Sequence, residues 1–326
     1  MEDILKIKDL ILESEEITIV SHYHPDGDTL GSQIALALGL EQLGKKTVLI
    51  NKNPIPNYYQ FLSNWQNIKP LDQIEKLSKI IICVDCATLE RTGYDLFSFK
   101  KRESILINID HHISNTNFAQ LNWVDAQAAS TAELIYDLLG LLQIKIDEKI
   151  ATALYTGIST DTGSFLYENT TPTTHIVVAD LLNRGANVNL VRTNYYENVS
   201  ISKLKLLKYG LNNLFFAAEE KIAWITINRE TFISSGASDG DAEGLINYIK
   251  NIAGVEIAII FREISSEKIK VSMRSKTWVD VNKLASSFGG GGHPRAAGCI
   301  IFGQLDQVVE KVTASAMKSI AQGGAN

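Results

Sequence analysis

Histidine is scarce, six residues in all, and four of the six fall in two clusters with aspartates. The first reads His22-Tyr23-His24-Pro25-Asp26-Gly27-Asp28 and the second Asp110-His111-His112. Imidazole nitrogens and carboxylate oxygens together are a donor set for divalent first-row cations. In the first cluster Pro25 and Gly27 force a turn, so His22, Asp26 and Asp28 can face one crevice although alternation along a strand would separate them. The bland alternative is that Asp28 caps the next helix and His22 is merely hydrogen-bonded. In the second cluster one imidazole can be a ligand and its neighbour a contact to an anion, with Asp110 orienting a ring. Asp85 follows the apolar run Ile80 to Val84, and Asp161 lies in Gly157-Ile158-Ser159-Thr160-Asp161-Thr162-Gly163. Each is read either as a site residue or as a cap. Cys83 and Cys86 flank Asp85 as Cys-x-x-Cys, but no second pair exists to complete a zinc knuckle, and burial of Cys83 as a small apolar residue is simpler.

Together His22, Asp26, Asp28, Asp85, His111 and Asp161 offer six nitrogen or oxygen donors and no sulfur. That set suits a pair of divalent cations, two Mn²⁺ with Mg²⁺ or Co²⁺ as substitutes, better than one tetrahedral structural zinc. Two dications would also cancel the charge of four gathered aspartates and so admit an anionic substrate.

Short β-rich runs must carry these residues: Ile17 to Val20, Thr47 to Ile50, Ile80 to Val84 and Ser104 to Ile109. They alternate with helical stretches at Leu30 to Leu43, Ser130 to Leu139, Glu148 to Ser159 and His175 to Asn183, which predicts a parallel α/β sheet. In such sheets, sites form at the carboxyl ends of strands. From Arg184 to Ser200 the chain turns polar and Asn-rich, and the linker is placed there. Beyond it come a strand (Lys221 to Ile227), a helix (Ala242 to Asn251), a hairpin (Val255 to Arg262, Lys268 to Arg274) and a helix (Val281 to Ser287). A glycine run, a strand (Ala296 to Ile301) and a final helix (Leu305 to Ile320) close the smaller α/β domain.

The chain has 326 residues, enough for two domains at about 150 each. Hydrophobic residues are 45% and charged ones 21%, ordinary for a globular enzyme and too apolar for a disordered chain. A net charge of −6 leaves no overall positive field for a long duplex or an anionic membrane. No apolar run approaches the roughly 20 residues of a membrane span. Three cysteines make a disulfide framework improbable and a reducing cytoplasm the simplest location.

His22-x-x-x-Asp26-x-Asp28, the later Asp85, the triplet Asp110-His111-His112 and the Asp161 segment resemble the four ordered motifs of the DHH phosphoesterases. Gly289-Gly290-Gly291-Gly292-His293 resembles the glycine-rich signature of the associated DHHA1 domain. The resemblance spans nearly the whole chain. Size and the lack of added domains are most similar to the NrnA-type oligoribonuclease/pAp-phosphatase branch of this RecJ-like superfamily, rather than to longer RecJ nucleases or membrane-tethered cyclic-di-AMP phosphodiesterases. It implies an N-terminal DHH domain at 1–186 with a mainly parallel sheet flanked by helices, a linker at 187–200, and a DHHA1 domain at 201–326.

By resemblance, His22 and Asp26 hold one Mn²⁺, Asp28, His111 and Asp161 hold the other, and Asp85 bridges both. Asp85, His111 and His112 form the catalytic set, with His112 leaning toward the scissile phosphate. Thr29 stands where many members have Ala, a small change beside the site. Arg262, Ser272, Arg274, Gly291, Gly292 and His293 bind the non-scissile phosphate and base, while Arg91 reaches the scissile phosphate or is an ordinary surface arginine. Glycine N–H groups can approach a phosphate closely. His24 and His175 receive no role.

The implied reaction is metal-assisted hydrolysis of short RNA or DNA, including nanoRNA and linear dinucleotides such as pApA or pGpG, to 5′-mononucleotides, with pAp dephosphorylation besides. No covalent nucleophile elbow or Walker-type lysine loop competes with it. A cyclic-dinucleotide phosphodiesterase, a nucleotide-binding sensor without turnover, and an inorganic pyrophosphatase are the alternatives, the last disfavoured by the His293 segment. No membrane partner is expected, and a homodimer is the base-rate expectation.

Overall fold

The computed structural model describes residues 2–96 and 103–323. The chain divides into two compact units, 1–198 and 199–326, each with its own apolar core. The first unit runs α1 (Glu2–Glu13), β1 (Glu16–Ser21), α2 (Gly27–Gln42), β2 (Lys46–Ile50), β3 (Ile68–Lys69), β4 (Ile80–Val84), β5 (Ile105–Asp110), β6 (Leu121–Val124), α3 (Thr131–Leu141), α4 (Glu148–Asp161), α5 (Pro172–Asn183) and α6 (Val188–Val191). Among the described residues its sheet has the order β3-β2-β1-β4-β5-β6, every pair parallel. β4 is buried at all five positions, as a central strand covered on both faces must be, which is why its sequence is a continuous apolar run.

The four main strands fall where the periodicity puts them. The two short strands at either edge, β3 and β6, carry no such signal. α2 starts three residues before the predicted Leu30, because the Asp26 carboxylate accepts the Thr29 N–H at 3.0 Å and caps it there. It ends before Gly44, whose φ of +73° stops the helix. α2 is buried nearly all round, wedged between the sheet and α4, and small residues make that possible. A Cβ on Gly31 would stand 2.4 Å from the Ala153 carbonyl oxygen of α4. α4 runs to Asp161, two residues past the predicted end, so Asp161 is its last helical residue and not a loop residue.

The polar stretch read as a linker is partly helical: α6 leads into a π-type turn over Arg192–Tyr196, and Val191 is fully buried in the first unit's core. The boundary between units falls after Asn198. Polar composition concealed this segment, which attaches through one apolar side chain and the rings of Tyr195 and Tyr196.

The second unit runs α7 (Ile201–Asn212), β7 (Leu214–Ala217), β8 (Ile222–Ile227), α8 (Arg229–Ser235), α9 (Asp239–Glu243), α10 (Leu245–Lys250), β9 (Ile257–Ser265), β10 (Lys268–Ser275), α11 (Val281–Ser286), β11 (Gly291–His293), β12 (Ala296–Phe302) and α12 (Leu305–Gly323). Its sheet has the order β11-β12-β10-β9-β8-β7, antiparallel except for β8 against β9. The helix predicted at Ala242 to Asn251 is divided at Gly244 into α9 and α10. Ile257, Ile259, Phe261, Ile269, Val271 and Met273 pack under α11 and α12, while Ala258 and Ile260, on the other face, pack against α10. The glycine run is not a free loop. Gly291 to His293 pair with Gly298 to Ala296 as an edge strand.

Candidate metal centre

The strand order places β1 beside β4, although β2 and β3 separate them in sequence, and β4 beside β5. Chain direction across the sheet reverses its progression between β1 and β4, the switch point at which open α/β sheets bind ligands. In register, Ser21 is level with Val84 and Val84 with Ile109. The next residues outward are therefore His22, Asp85 and Asp110, on strands about 4.8 Å apart. Three separated sequence motifs meet because their strands end together.

Helices bring the remaining donors. Asp28 sits in the first turn of α2, 2% exposed, and its carboxylate accepts the Thr131 N–H at 2.7 Å and the Ala132 N–H at 2.8 Å from the start of α3. The partial positive charge of a helix N-terminus thus faces it. Asp161 arrives on the end of α4. The α2–α4 contact needs glycine on both sides: a Cβ on Gly157 would meet the Ala132 Cβ at 2.7 Å and Asp28 Oδ1 at 3.0 Å.

The donors form three overlapping groups, each with its atoms within 4.8 Å of one another: His22, Asp26 and Asp85; Asp28, His111 and Asp161; Asp85, His111 and His112. Asp85 lies in the middle, 2% exposed. Its Oδ2 is 3.4 Å from His22 Nε2, and its Oδ1 is 3.8 Å from His111 Nε2 and 3.7 Å from His112 Nδ1. His111 Nε2 is also 3.5 Å from Asp161 and 3.9 Å from Asp28, and His22 Nε2 is 3.6 Å from Asp26. Asp85 has a φ of +60°, a left-handed conformation that costs a non-glycine residue and clusters at functional sites.

The tautomers suit ligation. His22 Nδ1 faces the Tyr23 carbonyl at 2.9 Å and His111 Nδ1 the Ala128 carbonyl at 3.4 Å, so each Nδ1 is engaged by a carbonyl and each Nε2 is the ring nitrogen directed at the carboxylates. His112 is held the other way, its Nδ1 2.7 Å from Asp110 Oδ1. Asp110 is fully buried and takes a second bond from Asn115 Nδ2 at 2.6 Å, so both its oxygens are engaged and it orients His112.

Burial pushes the Asp161 carboxyl up to about 7, and burial with the charges of Asp85 and Asp161 raises Asp28. Burial would raise Asp85 as well, but hydrogen bonding and charge from His22, with His112 and His111 behind it, hold it below the usual carboxylate range. Burial would lower His112, and Asp110 and Asp85 instead raise it to about 9. Carboxylates desolvated to this degree are short of positive charge, and divalent cations supply it. The residues fit a metal centre on that ground as well as on geometry.

Thr29 reads in the sequence only as a small change beside the site, and Thr131 and Asn115 carry no signal there. The Thr29 hydroxyl lies 2.6 Å from His22 Nε2, 2.9 Å from Asp26 Oδ1 and 2.7 Å from Asp85 Oδ2, so it is engaged with every donor of the first group. Thr131 Oγ1 donates to Asp85 Oδ1 at 3.1 Å, and Asn115 joins Asp110 to Asn108. Their contacts span 46 or more residues or depend on the loop path, beyond any local pattern. Cys83 and Cys86 are buried free thiols, Cys83 pushed up to about 12 by burial, and belong to none of the donor groups.

Arg91 places its guanidinium 4.8 Å over the Tyr23 ring. His24 lies in the first motif's loop with its N–H on Asn53 Oδ1 at 2.9 Å. His175 packs 5.6 Å from the Phe165 ring on α5. In the second unit Arg262, Ser272 and Arg274 line one cavity of about 260 Å³, joined by Lys270, which sequence reasoning did not single out. The Arg262 guanidinium lies 4.6 Å over Phe232. His293 and Arg274 are both level with Ala296, so Arg274, Ser272, Arg262, Gly291 and His293 share one face of the sheet. Gly292 alternates to the other face, where a Cβ would stand 2.4 Å from the Ala296 carbonyl oxygen.

Fold and donor set together define a class: an α/β protein whose carboxylates and imidazoles are positioned for metal binding. The family model described as "DHH family, N-terminal domain" matches residues 16–158, and that of the DHHA1 domain matches 222–318. The chain belongs to the DHH family. It is 32% identical over 312 residues to the bifunctional oligoribonuclease and PAP phosphatase NrnA of Thermus thermophilus, covering 94% of this chain and 91% of that protein. The Bacillus subtilis protein of the same name is 31% identical over 87% of this chain and 90% of its own. An exopolyphosphatase-related protein of Bacteroides fragilis, known from a crystal structure, superimposes with a TM-score of 0.90 at 28% identity, covering 97% of this chain and 96% of that one. No helix among the described residues is long and apolar enough to cross a membrane.

Proposed function

We propose that the protein is a Mn²⁺-dependent phosphoesterase that hydrolyses short oligonucleotides, including linear dinucleotides such as pApA and pGpG, to 5′-mononucleotides and removes the 3′-phosphate of pAp. The observation that carries this reading is Asp85, which faces the His22–Asp26 group with one oxygen and the His111–His112 group with the other. The names of the Thermus and Bacillus relatives supply the substrate class. His22, Asp26 and Asp85 would hold one cation, and Asp28, His111 and Asp161 the other, with Asp85 shared. When bound, such cations lower the pKa of water and withdraw charge from phosphorus oxygens.

The chain's own residues do the rest. His22 and His111 present Nε2 to the centre, fixed by carbonyls on Nδ1. Asp110 fixes His112 so that its Nε2 can serve the scissile group, as a contact to phosphate or as the proton donor to the departing O3′. Arg262, Ser272 and Arg274, with Lys270 in the same cavity, bind the non-scissile phosphate and base, and Gly291 and His293 adjoin them on that face of the sheet, whereas Gly292, on the other face, is not among them. Arg91 is assigned to the scissile phosphate. Free, buried cysteines support a reducing cytoplasm as its place of work.

Product analysis with Mn²⁺ across pApA, pGpG, pAp, cyclic dinucleotides and short RNAs tests the reading. The expected products are 5′-AMP from pApA and inorganic phosphate from pAp. Asp85→Asn should lower kcat/KM for both by roughly 10³-fold, about 4 kcal/mol of transition-state stabilisation. A wild-type protein inert on the linear substrates refutes the proposal, and turnover confined to cyclic dinucleotides replaces it with the alternative phosphodiesterase.

A further inference from the structure

The first unit contains a cavity of about 770 Å³ beside the donor cluster, lined among others by Tyr23, His24, Lys52, Asn53, Leu89 and Tyr94. Its volume lies within the roughly 300–1,000 Å³ of small-molecule sites. Apart from the Tyr23 carbonyl, none of these residues has a role in the centre described above. Tyr23 and His24 lie between His22 and Asp26 in the chain, so with consecutive Cα atoms about 3.8 Å apart, His24 is within about 7.6 Å of both by Cα. Tyr23 joins the cavity to the centre directly: its carbonyl fixes His22 Nδ1 at 2.9 Å, and its N–H donates to the Arg91 carbonyl at 2.8 Å.

The lining chemistry selects the ligand. Two tyrosine rings and an imidazole offer stacking surfaces for a base, and Asn53 offers a carboxamide to a base edge. Lys52 is held over the Tyr94 ring at 5.8 Å with its Nζ donating to the Gly93 carbonyl at 2.9 Å. Glu90 and Asp95 line the cavity too, and two carboxylates oppose a second phosphate. A neutral nucleoside satisfies aromatic walls, polar edges and acidic neighbours together.

We infer that this cavity seats the nucleoside downstream of the scissile phosphate. The inference rests on the reaction proposed above. Hydrolysis adds the water oxygen to phosphorus and breaks the P–O3′ bond, O3′ takes a proton, and the phosphate stays on the downstream nucleoside as its 5′-phosphate. In pAp the same bond breaks, but no nucleoside lies downstream and inorganic phosphate leaves. Dinucleotides therefore use the cavity and pAp does not.

Leu89→Trp, which fills the cavity while removing no polar contact, and Lys52→Ala test this on the full chain loaded with Mn²⁺, with thermal melting as the folding control. Both variants should lower kcat/KM for pApA at least tenfold and leave pAp within twofold of wild type. Equal losses on both substrates, or no loss on pApA, overturn the inference. If the wild type cleaves neither substrate, the proposed function fails and the cavity is judged on 5′-AMP titration: affinity at least tenfold weaker in Leu89→Trp upholds it, and unchanged affinity overturns it.

Discussion

Thr29 shows how one residue can alter a site whose donors are all present. Its hydroxyl is 2.6–2.9 Å from His22, Asp26 and Asp85, the point on which those three donors converge. Read from sequence as a small change beside the site, it lies among the candidate donors themselves. A cation bound to the three must displace that hydroxyl and its hydrogen bonds, each worth about 1 kcal/mol net and more to a charged partner. Thr29→Ala should therefore bind Mn²⁺ several-fold more tightly in calorimetric titration of the metal-free protein. Weaker binding would make the hydroxyl a ligand instead. The six donors were legible because their types and order are local facts, whereas Thr29, Thr131 and Asn115 act through contacts visible only when strands and helices have docked.

At the scale of elements, the site depends on where β1, β4 and β5 end and on how closely α2 approaches α4. Apolar runs announce the strands, and Asp26 with Gly44 brackets α2. The closeness of the helices rests on Gly31 and Gly157, and isolated glycines in helical stretches read only as weak points. Gly31→Ala would drive a methyl against the Ala153 carbonyl, so α2 must move off α4 and carry Asp28 away from Asp161. Overpacking of this kind costs about 1–3 kcal/mol. The expected result is a lower melting temperature together with weaker Mn²⁺ binding. A variant that melts lower while binding the cation unchanged would show that the helix spacing serves packing alone.

Across the whole molecule the two units are stabilised by different means. The first gathers buried acids that call for cations, whereas the second buries Glu256 with its own partners: it accepts N–H groups of Thr277, Trp278 and Val279 at 2.8–3.1 Å and the Thr277 hydroxyl at 2.7 Å. Burial would raise this carboxyl, but those donors outweigh it and hold it below the ordinary 4.5 of a glutamate. Between the two values the unfolded chain binds more protons than the folded one, so stability rises with pH there. Glu256 contributes fully above about pH 4.5, and the contribution is lost as pH falls through its folded value. Glu256→Gln should cost about 2 kcal/mol in urea unfolding near neutral pH. The difference from wild type should shrink in acid, and a cost constant from pH 7 to pH 3 would contradict this account.

Residue order alone determined the α/β class, the central strands and which side chains are of donor type, because apolar period and ligand chemistry are written in neighbouring positions. Tertiary structure alone decided that Asp85 faces both groups, that Thr29 lies among the candidate donors, that the glycine run is an edge strand, and that Lys270 joins Arg262, Ser272 and Arg274. Each of these is a distance between residues far apart in the chain or a choice among paths for one loop, and such distances are set by register and packing rather than by composition.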